Sequence, residues 1–215
     1  MKLVPVKIPS IIKRIFPNYV WDFSSSSKVI YLTFDDGPTP EITPWVLDVL
    51  ETYNAKATFF CIGDNINRHP SLFRDVIARG HAIGNHTQNH LRGWNTATPL
   101  YIENTLKAQD AIDRHAPSPV TTKLFRPPYG QIKPSQGRAL LQMGYKIIMW
   151  SVITFDWEDY LTQARCLDNA IKHTKDGNII VFHDSVKASK NMMHALPEVL
   201  KHFSERGYTF KALSF

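Results

Sequence analysis

From Val29 to the end of the chain, short apolar runs that favour β-strands alternate with longer runs whose apolar residues recur at helical spacing. Such alternation is typical of a parallel sheet whose faces are covered by helices. The predicted strands are residues 29–34, 57–62, 81–84, 123–125, 145–150, 178–182 and 208–213. The predicted helices are residues 43–53, 71–78, 100–115, 135–143, 164–173 and 197–206. The sequence therefore predicts an α/β fold built on seven strands.

The length and the composition indicate one globular domain. A chain of 215 residues leaves little room for a second core, because a domain of this size already buries roughly 70% of its unfolded surface. Hydrophobic residues make up 43% of the chain and charged residues 20%, which excludes a disordered or collagen-like protein. Cys61 and Cys166 form no CxxC pair, so we expect two free, buried thiols and no cysteine-bound zinc.

Residues 1–28 differ in composition from residues 29–215, which form the predicted globular domain. Basic and apolar residues dominate the beginning of this segment, and the four serines at positions 24–27 are typical of a hinge. Two interpretations stay open: residues 1–23 pack over one end of the domain, or they make peripheral contact with an anionic membrane surface. No membrane-spanning run and no secretory signal is evident in the sequence, so the expected location is cytoplasmic or peripheral to a membrane.

The net charge of +6 favours an anionic partner in principle, but the 25 Lys and Arg residues are scattered along the chain. The sequence contains neither a zinc-finger spacing nor an RNP-like aromatic motif. We therefore expect no nucleic-acid partner.

Acidic, basic and cationic side chains follow the predicted strands at, or shortly after, their carboxyl ends. These side chains are Asp35 and Asp36, His86, Arg126, Asp156 and His183. In a barrel of parallel strands these ends meet on one face, where active sites are built. Taken singly, each of these positions also has a purely structural explanation. The Asp pair before Gly37 and Pro38, for example, suits a turn. Together, five separate segments that converge on one face predict an active site.

His86 and His90 have the spacing of a metal-binding pair. The interval of four residues places both imidazoles on one side of a helical turn, where they can hold one ion. Two imidazoles and a carboxylate make a three-ligand set that leaves positions open for water and substrate. A second carboxylate beside such a set can act as general base, and a histidine across the pocket as general acid. A non-haem iron oxygenase is an alternative with the same ligand types.

Five short segments carry a resemblance to a known family. They are residues 33–38 (TFDDGP), 86–90 (HTQNH), 126–130 (RPPYG), 156–157 (DW) and 181–183 (VFH). With these motifs in this order, the chain from Val29 to its end resembles the polysaccharide deacetylases, the NodB-like carbohydrate esterases. The resemblance implies a distorted (β/α) barrel with fewer than eight strands, in agreement with the seven strands predicted above.

The resemblance also implies roles for the matched residues. A divalent metal ion would be held by Asp36, His86 and His90. Zinc is the expected ion, and cobalt, nickel, manganese or iron suit the same ligands. Asp35 would be the catalytic base, Arg126 would orient it, and His183 would be the catalytic acid.

Other matched residues would form the substrate pocket. The backbone N–H of Tyr129 would help to hold the oxyanion, while Trp157 and Val181 would line the space for the acetyl group. The fourth motif usually carries an Asp three residues before Asp156, and this chain has Ile153 there. Asp156 or another carboxylate then supports the acid histidine, or that histidine works with a less perturbed pKa.

The function implied by the resemblance is a metal-dependent hydrolase. Its substrate would be the acetamide of N-acetylated amino sugars in peptidoglycan or a chitin-like oligosaccharide, and its products acetate and a free amine. Two alternatives remain: a metal-dependent hydrolase of another acyl group, such as an O-acetyl ester or a cyclic amide, and a non-catalytic carbohydrate-binding relative.

Overall fold

The computed structural model describes residues 5–24 and 27–215. The strands are β1 Val29–Asp35, β2 Ala57–Cys61, β3 Ala82–Asn85, β4 Leu124–Phe125, β5 Lys146–Ile147, β6 Val152–Ile153, β7 Ile179–His183 and β8 Thr209–Phe210. The α-helices are α1 Ser10–Ile15, α2 Ile42–Thr52, α3 Gly63–Arg68, α4 Pro70–Ala78, α5 Thr98–His115, α6 Pro134–Gln142, α7 Gln163–His173 and α8 Ser189–Ser204. Strands and helices thus alternate through most of the chain, as the sequence predicts.

The strands form one parallel sheet that curls into an open barrel. Its order is β5-β4-β3-β2-β1-β7-β6, and β8 pairs with the beginning of β1 outside this path. Within the described residues no ladder joins β5 to β6, so the barrel is open along this seam. The predicted single-domain α/β class, a distorted barrel of about seven parallel strands, is confirmed.

Two strand predictions need correction. The predicted strand 145–150 ends early, because its ladder with β4 covers only Lys146–Ile147, and the separate strand Val152–Ile153 was not predicted. Buried residues run continuously through this region, so periodicity gives no sign of the break between the two strands. The predicted strand 208–213 contributes only Thr209–Phe210.

The helix predictions also need correction. The helices Ser10–Ile15 and Gly63–Arg68 were not predicted, and α8 begins at Ser189 instead of Pro197. Pro197 lies inside α8. The sequence interpretation placed this proline at the start of the helix because the first turn is where proline is most often tolerated.

The central strands direct alternate side chains to opposite sides of the sheet. Phe34 of β1 and Phe182 of β7 pack in the core that the surrounding helices cover. Asp35 of β1 and Val181 and His183 of β7 instead line a cavity in the barrel interior. Because β1 and β7 are adjacent and parallel, Asp35 lies directly opposite His183 in the register. The fold therefore brings an acid and a base together at one end of the barrel.

The N-terminal segment lies along the open seam of the barrel. The backbone N–H of Val20 donates to the carbonyl oxygen of Ile147 over 2.8 Å, and that of Ile8 donates to Ser151 over 2.9 Å. The side chains of Ile8 and Trp21 are buried. These contacts place the segment between the last residues of β5 and the first of β6.

Part of the predicted N-terminal arm and hinge, residues 1–4 and 25–26, lies outside the described residues. Among the residues that are described, no helix combines the length and the apolar composition needed to cross a bilayer.

Candidate active site

A cavity of about 490 Å³ opens at the carboxyl end of the barrel. Eight of the predicted site residues line it: Asp35, Asp36, His86, His90, Tyr129, Trp157, Val181 and His183. The other two, Arg126 and Asp156, are fully buried and bind residues that line the cavity. The structure therefore gathers all ten predicted residues around one space.

Asp36, His86 and His90 form a compact group of ligand atoms. Oδ1 of Asp36 lies 3.3 Å from Nε2 of His90 and 3.8 Å from Nε2 of His86. One ligand atom from each residue lies within 4.8 Å of the others. The Nδ1–H of His86 donates to the carbonyl oxygen of Arg126 over 2.8 Å, which leaves its Nε2 as the lone-pair nitrogen.

Both histidines of this group are neutral at neutral pH. Burial lowers the pKa of His86. The pKa of His90 is lowered to about 4, mainly by burial and secondly by the charge of the neighbouring His86. A neutral imidazole is the form that binds a metal ion.

The backbone that presents the two histidines differs from the predicted helical turn. Residues 86–90 contain no helix, and Thr87 and His90 have positive φ angles of 66° and 59°. Side chains stabilise this loop: Asn85 accepts from the N–H of Thr87 over 2.9 Å, and the Thr87 hydroxyl accepts from the N–H of Leu91 over 3.0 Å. The pair is therefore a loop site, and its spacing of four residues only coincides with that of a helical pair.

Asp35, the predicted base, forms a buried ion pair with Arg126. Nη1 of Arg126 donates to Oδ1 of Asp35 over 2.7 Å and to the hydroxyl of Thr33 over 2.7 Å. The rest of the guanidinium donates to the carbonyl oxygens of Ile148 and Met149, over 3.2 Å and 2.9 Å. These bonds fix the orientation of both side chains.

Burial by itself raises the pKa of Asp35, but the Arg126 guanidinium outweighs it and leaves the pKa below its usual value. Asp35 is therefore an ionised carboxylate at the edge of the cavity, where it can accept a proton.

His183 is held by Asp156 on the other side of the cavity. Nδ1 of His183 lies 2.8 Å from Oδ1 of Asp156, and the backbone N–H of His183 donates to Oδ2 over 2.7 Å. Burial lowers the pKa of His183, but the charge and the hydrogen bond of Asp156 outweigh it and raise the pKa to about 9. Asp156 thus supports His183, while Ile153 is a buried residue of the cavity wall.

Aromatic and apolar side chains form the wall beside His183. The ring of Trp157 meets His183 edge-on, with 4.7 Å between ring centres. Val181 and Ile153 are paired residues of β7 and β6 and line the same wall. This side of the cavity suits a small apolar group.

Tyr129 lies across the cavity in a left-handed backbone conformation, with φ of 59°. Its backbone N–H donates no hydrogen bond within the described part of the chain. The next residue, Gly130, also has a positive φ, and a Cβ there would lie 2.7 Å from the ring of Trp150. The tight turn therefore leaves one backbone donor free beside the ligand group.

The structure adds Asp184, a residue to which the sequence analysis assigns no role. The buried carboxyl group of Asp184 accepts from the N–H of Gly37 over 3.0 Å and from the hydroxyl of Thr43 over 2.5 Å. A Cβ at Gly37 would lie 2.0 Å from this carboxyl group, which explains the glycine. Asp184 therefore holds the loop that contains Asp36, whose φ is 84°. Its position after His183, beside the Asp-Asp-Gly loop, was the one available signal.

A second such residue is Asn65, at the beginning of α3. Its amide donates to the carbonyl oxygen of Asp36 over 2.7 Å. Because α3 was not predicted, no sequence pattern indicated that Asn65 lies near the site.

Comparison with protein families gives an independent result. A family model described as polysaccharide deacetylase matches residues 24–148. A peptidoglycan-N-acetylglucosamine deacetylase of Bacillus cereus is 34% identical over 196 residues, which cover 90% of each chain. The peptidoglycan-N-acetylmuramic acid deacetylase PdaC of Bacillus subtilis is 32% identical over 193 residues, which cover 88% of this chain and 38% of PdaC.

The fold has close counterparts among solved structures. A peptidoglycan N-acetylglucosamine deacetylase, crystallised with 4-naphthalen-1-yl-N-oxidanyl-benzamide, superposes with a TM-score of 0.87 at 28% identity. The match covers 96% of this chain and 95% of that one.

Proposed function

The chain belongs to the polysaccharide deacetylase family, and we propose that it removes the acetyl group from N-acetylated amino sugars of peptidoglycan. The reaction is hydrolysis of an amide, which releases acetate and leaves a free amine on the sugar. One observation carries the proposal. A single cavity contains a three-residue ligand group, an ionised carboxylate paired with arginine, and a histidine paired with a second carboxylate.

The ligand group fits a divalent metal ion. Oδ1 of Asp36 is buried and has no hydrogen-bond partner among the described residues, although an isolated buried carboxylate oxygen is costly. It faces the two Nε2 atoms that the histidines leave free. Zinc suits two imidazoles and a carboxylate, and cobalt, nickel, manganese or iron suit them as well. Such an ion, when bound, polarises a carbonyl group and makes a neighbouring water more acidic.

Asp35 is the group that takes the proton from the attacking water. It is ionised, and its link to Arg126 holds the carboxylate toward the cavity beside the ligand group. General-base assistance of this kind is typically worth about 10² to 10⁴ in rate.

His183 is the group that gives a proton to the departing amine. The pKa of about 9 keeps the imidazolium populated at neutral pH, and an amine leaves far more readily once it is protonated. Asp156 also fixes the ring, because it binds both Nδ1 and the backbone N–H of His183.

The remaining residues position the acetyl group. Trp157, Val181 and Ile153 give the methyl group an apolar wall. The free backbone N–H of Tyr129 donates to the oxygen that becomes negative as the amide is attacked.

Replacing Asp156 by Asn tests the role of the acid. Because Asp156 raises the pKa of His183, its removal lowers the pH above which His183 loses its proton. The alkaline limb of kcat/KM therefore moves down by more than one pH unit from its wild-type position, which lies at or below about pH 9. A pH profile from pH 5 to 10 measures this shift, with Asp168→Asn, an exposed substitution on α7, as control. An unmoved alkaline limb would remove His183 from the acid role.

Acetate release tests the function as a whole. The metal-loaded protein is given N-acetylglucosamine oligomers, peptidoglycan glycan fragments and an O-acetylated sugar, each with and without a chelator. Chelator-sensitive acetate and an equal amount of new amine are the expected products. Release from O-acetyl esters alone would instead support an esterase, and metal binding without any release would support a carbohydrate-binding protein.

A further inference from the structure

Two cationic side chains stand at the cavity and take no part in the chemistry above. Arg92 follows the loop that contains His90, and Lys187 lies between β7 and α8. Both are exposed, and both line the cavity. Within residues 5–24 and 27–215, neither has a carboxylate partner within 4.0 Å. Two uncompensated positive charges therefore border the space where the sugar binds.

The guanidinium of Arg92 is held in place by an aromatic ring. Its central carbon lies 3.8 Å from the ring centre of Tyr129. The same ring contacts His90, with 4.4 Å between ring centres. Stacking orients the plane of the guanidinium and leaves the N–H donors at its edge free. The Arg92 side chain is thus preorganised, and it loses little further conformational freedom when it binds an anion.

The other charges of the cavity do not cancel this pair. Asp35 is neutralised by Arg126, and Asp36 belongs to the ligand group. Apart from these two, no carboxylate of the described residues lines the cavity. The outer part of the cavity is therefore positive.

We infer that Arg92 and Lys187 form an anion-binding rim, which selects an N-acetylated sugar that carries a carboxylate or a phosphate on itself or on the adjoining sugar. This inference rests on the deacetylase function proposed above and specifies its substrate further. Charge complementarity of this kind acts on encounter and binding, so it affects KM more than kcat.

Arg92 also has a simpler interpretation, in which it only supports the ring of Tyr129. Within the described ranges 5–24 and 27–215, Lys187 makes no contact with an aromatic ring. The two interpretations therefore differ for Lys187, and also for Arg92→Lys, which keeps the charge but loses the planar stacking group.

Matched substrates separate charge from size. The first pair is a glycan of alternating N-acetylglucosamine and N-acetylmuramic acid, with its carboxyl groups free or converted to amides. The second pair is N-acetylglucosamine phosphate and N-acetylglucosamine, so that carboxylate and phosphate recognition are measured independently. For at least one pair, wild-type kcat/KM is several-fold higher for the anionic member at low salt, since an exposed charge contact gives up to about fivefold. High salt reduces this preference.

Variants identify the residues responsible. Arg92→Gln and Lys187→Gln together remove most of the several-fold preference at low salt, so that the anionic-to-neutral ratio of kcat/KM falls close to one, through KM, and each single variant gives part of this loss. Arg92→Lys retains most of the ratio. Lys190→Gln, on an exposed lysine that does not line the cavity, leaves the ratio unchanged.

The outcomes are distinct for the two proposals. Acetate release from none of these substrates would contradict the deacetylase function itself. Release from all of them with no preference for the anionic member, or with a preference that the double variant keeps, would overturn the rim and leave the function intact.

Discussion

The Asp35→Asn variant is expected to lose about 10² to 10⁴ in kcat while it still binds the metal ion. The amide has the shape of the carboxylate and can accept the hydrogen bond from Arg126, but it cannot take a proton from water. Asp35 does not belong to the group formed by Asp36, His86 and His90, so the ligand atoms stay in place. Single-turnover acetate release and the metal content of the purified protein measure the two parts of this result.

Stability must be followed in the same variant. Asp35→Asn leaves the buried guanidinium of Arg126 without its counter-charge, and breaking a buried pair on one side costs about 3–5 kcal/mol. Denaturant unfolding therefore accompanies the kinetics, which are normalised to folded, metal-bound protein. Turnover at the wild-type rate in that fraction would contradict the assignment of Asp35 as base.

Much of the site was predictable because parallel strands place their carboxyl ends together. Asp35 and His183 end adjacent strands, and Arg126 follows β4. For these residues, knowing that a strand ends is enough to know where the side chain goes. The sequence pattern therefore predicted the fold class and the convergence of the polar residues.

The parts that sequence could not predict depend on backbone conformation and long-range contacts. The His86 and His90 pair was recognised by its spacing, yet a loop with positive φ angles presents it. The sequence did not show which carboxylate supports His183, because Ile153 stands where the family usually has an Asp. Only the path of the chain after β6 shows that Asp156 reaches the imidazole. Spacing along the chain contains neither kind of information.

The contribution of Asp184 shows a further limit. Its carboxyl group binds Gly37 and Thr43, which lie more than 140 residues earlier in the chain. The burial of Asp184 raises its pKa to about 8, because burial disfavours the charged form of a carboxyl group. Such a role depends on the packing of β7 against β1.

Replacing Asp36 by Ala is expected to abolish metal binding and activity together. One of three ligands is lost, and the affinity falls by more than the 10- to 100-fold typical of losing an outer hydrogen-bond partner. Activity falls at least about 10²- to 10³-fold, because the electrostatic stabilisation of the oxyanion is lost with the ion. Competition with a chromophoric chelator measures affinity, and acetate release measures activity. Asp110→Ala, on an exposed residue of α5, is the matched control.

Thermal unfolding with and without zinc distinguishes a metal-binding role of Asp36 from a purely structural one. Oδ1 of Asp36 is buried without a hydrogen-bond partner in the described part of the chain, so the loss of this oxygen costs the metal-free protein little stability. Alanine at the positive φ of 84° adds a cost of about 1–2 kcal/mol. Zinc at 100 times its Kd stabilises the wild type by about 2.7 kcal/mol, and Asp36→Ala should lose this response. A variant that unfolds much earlier without metal, yet is still stabilised by zinc, would show that Asp36 holds the loop and not the ion.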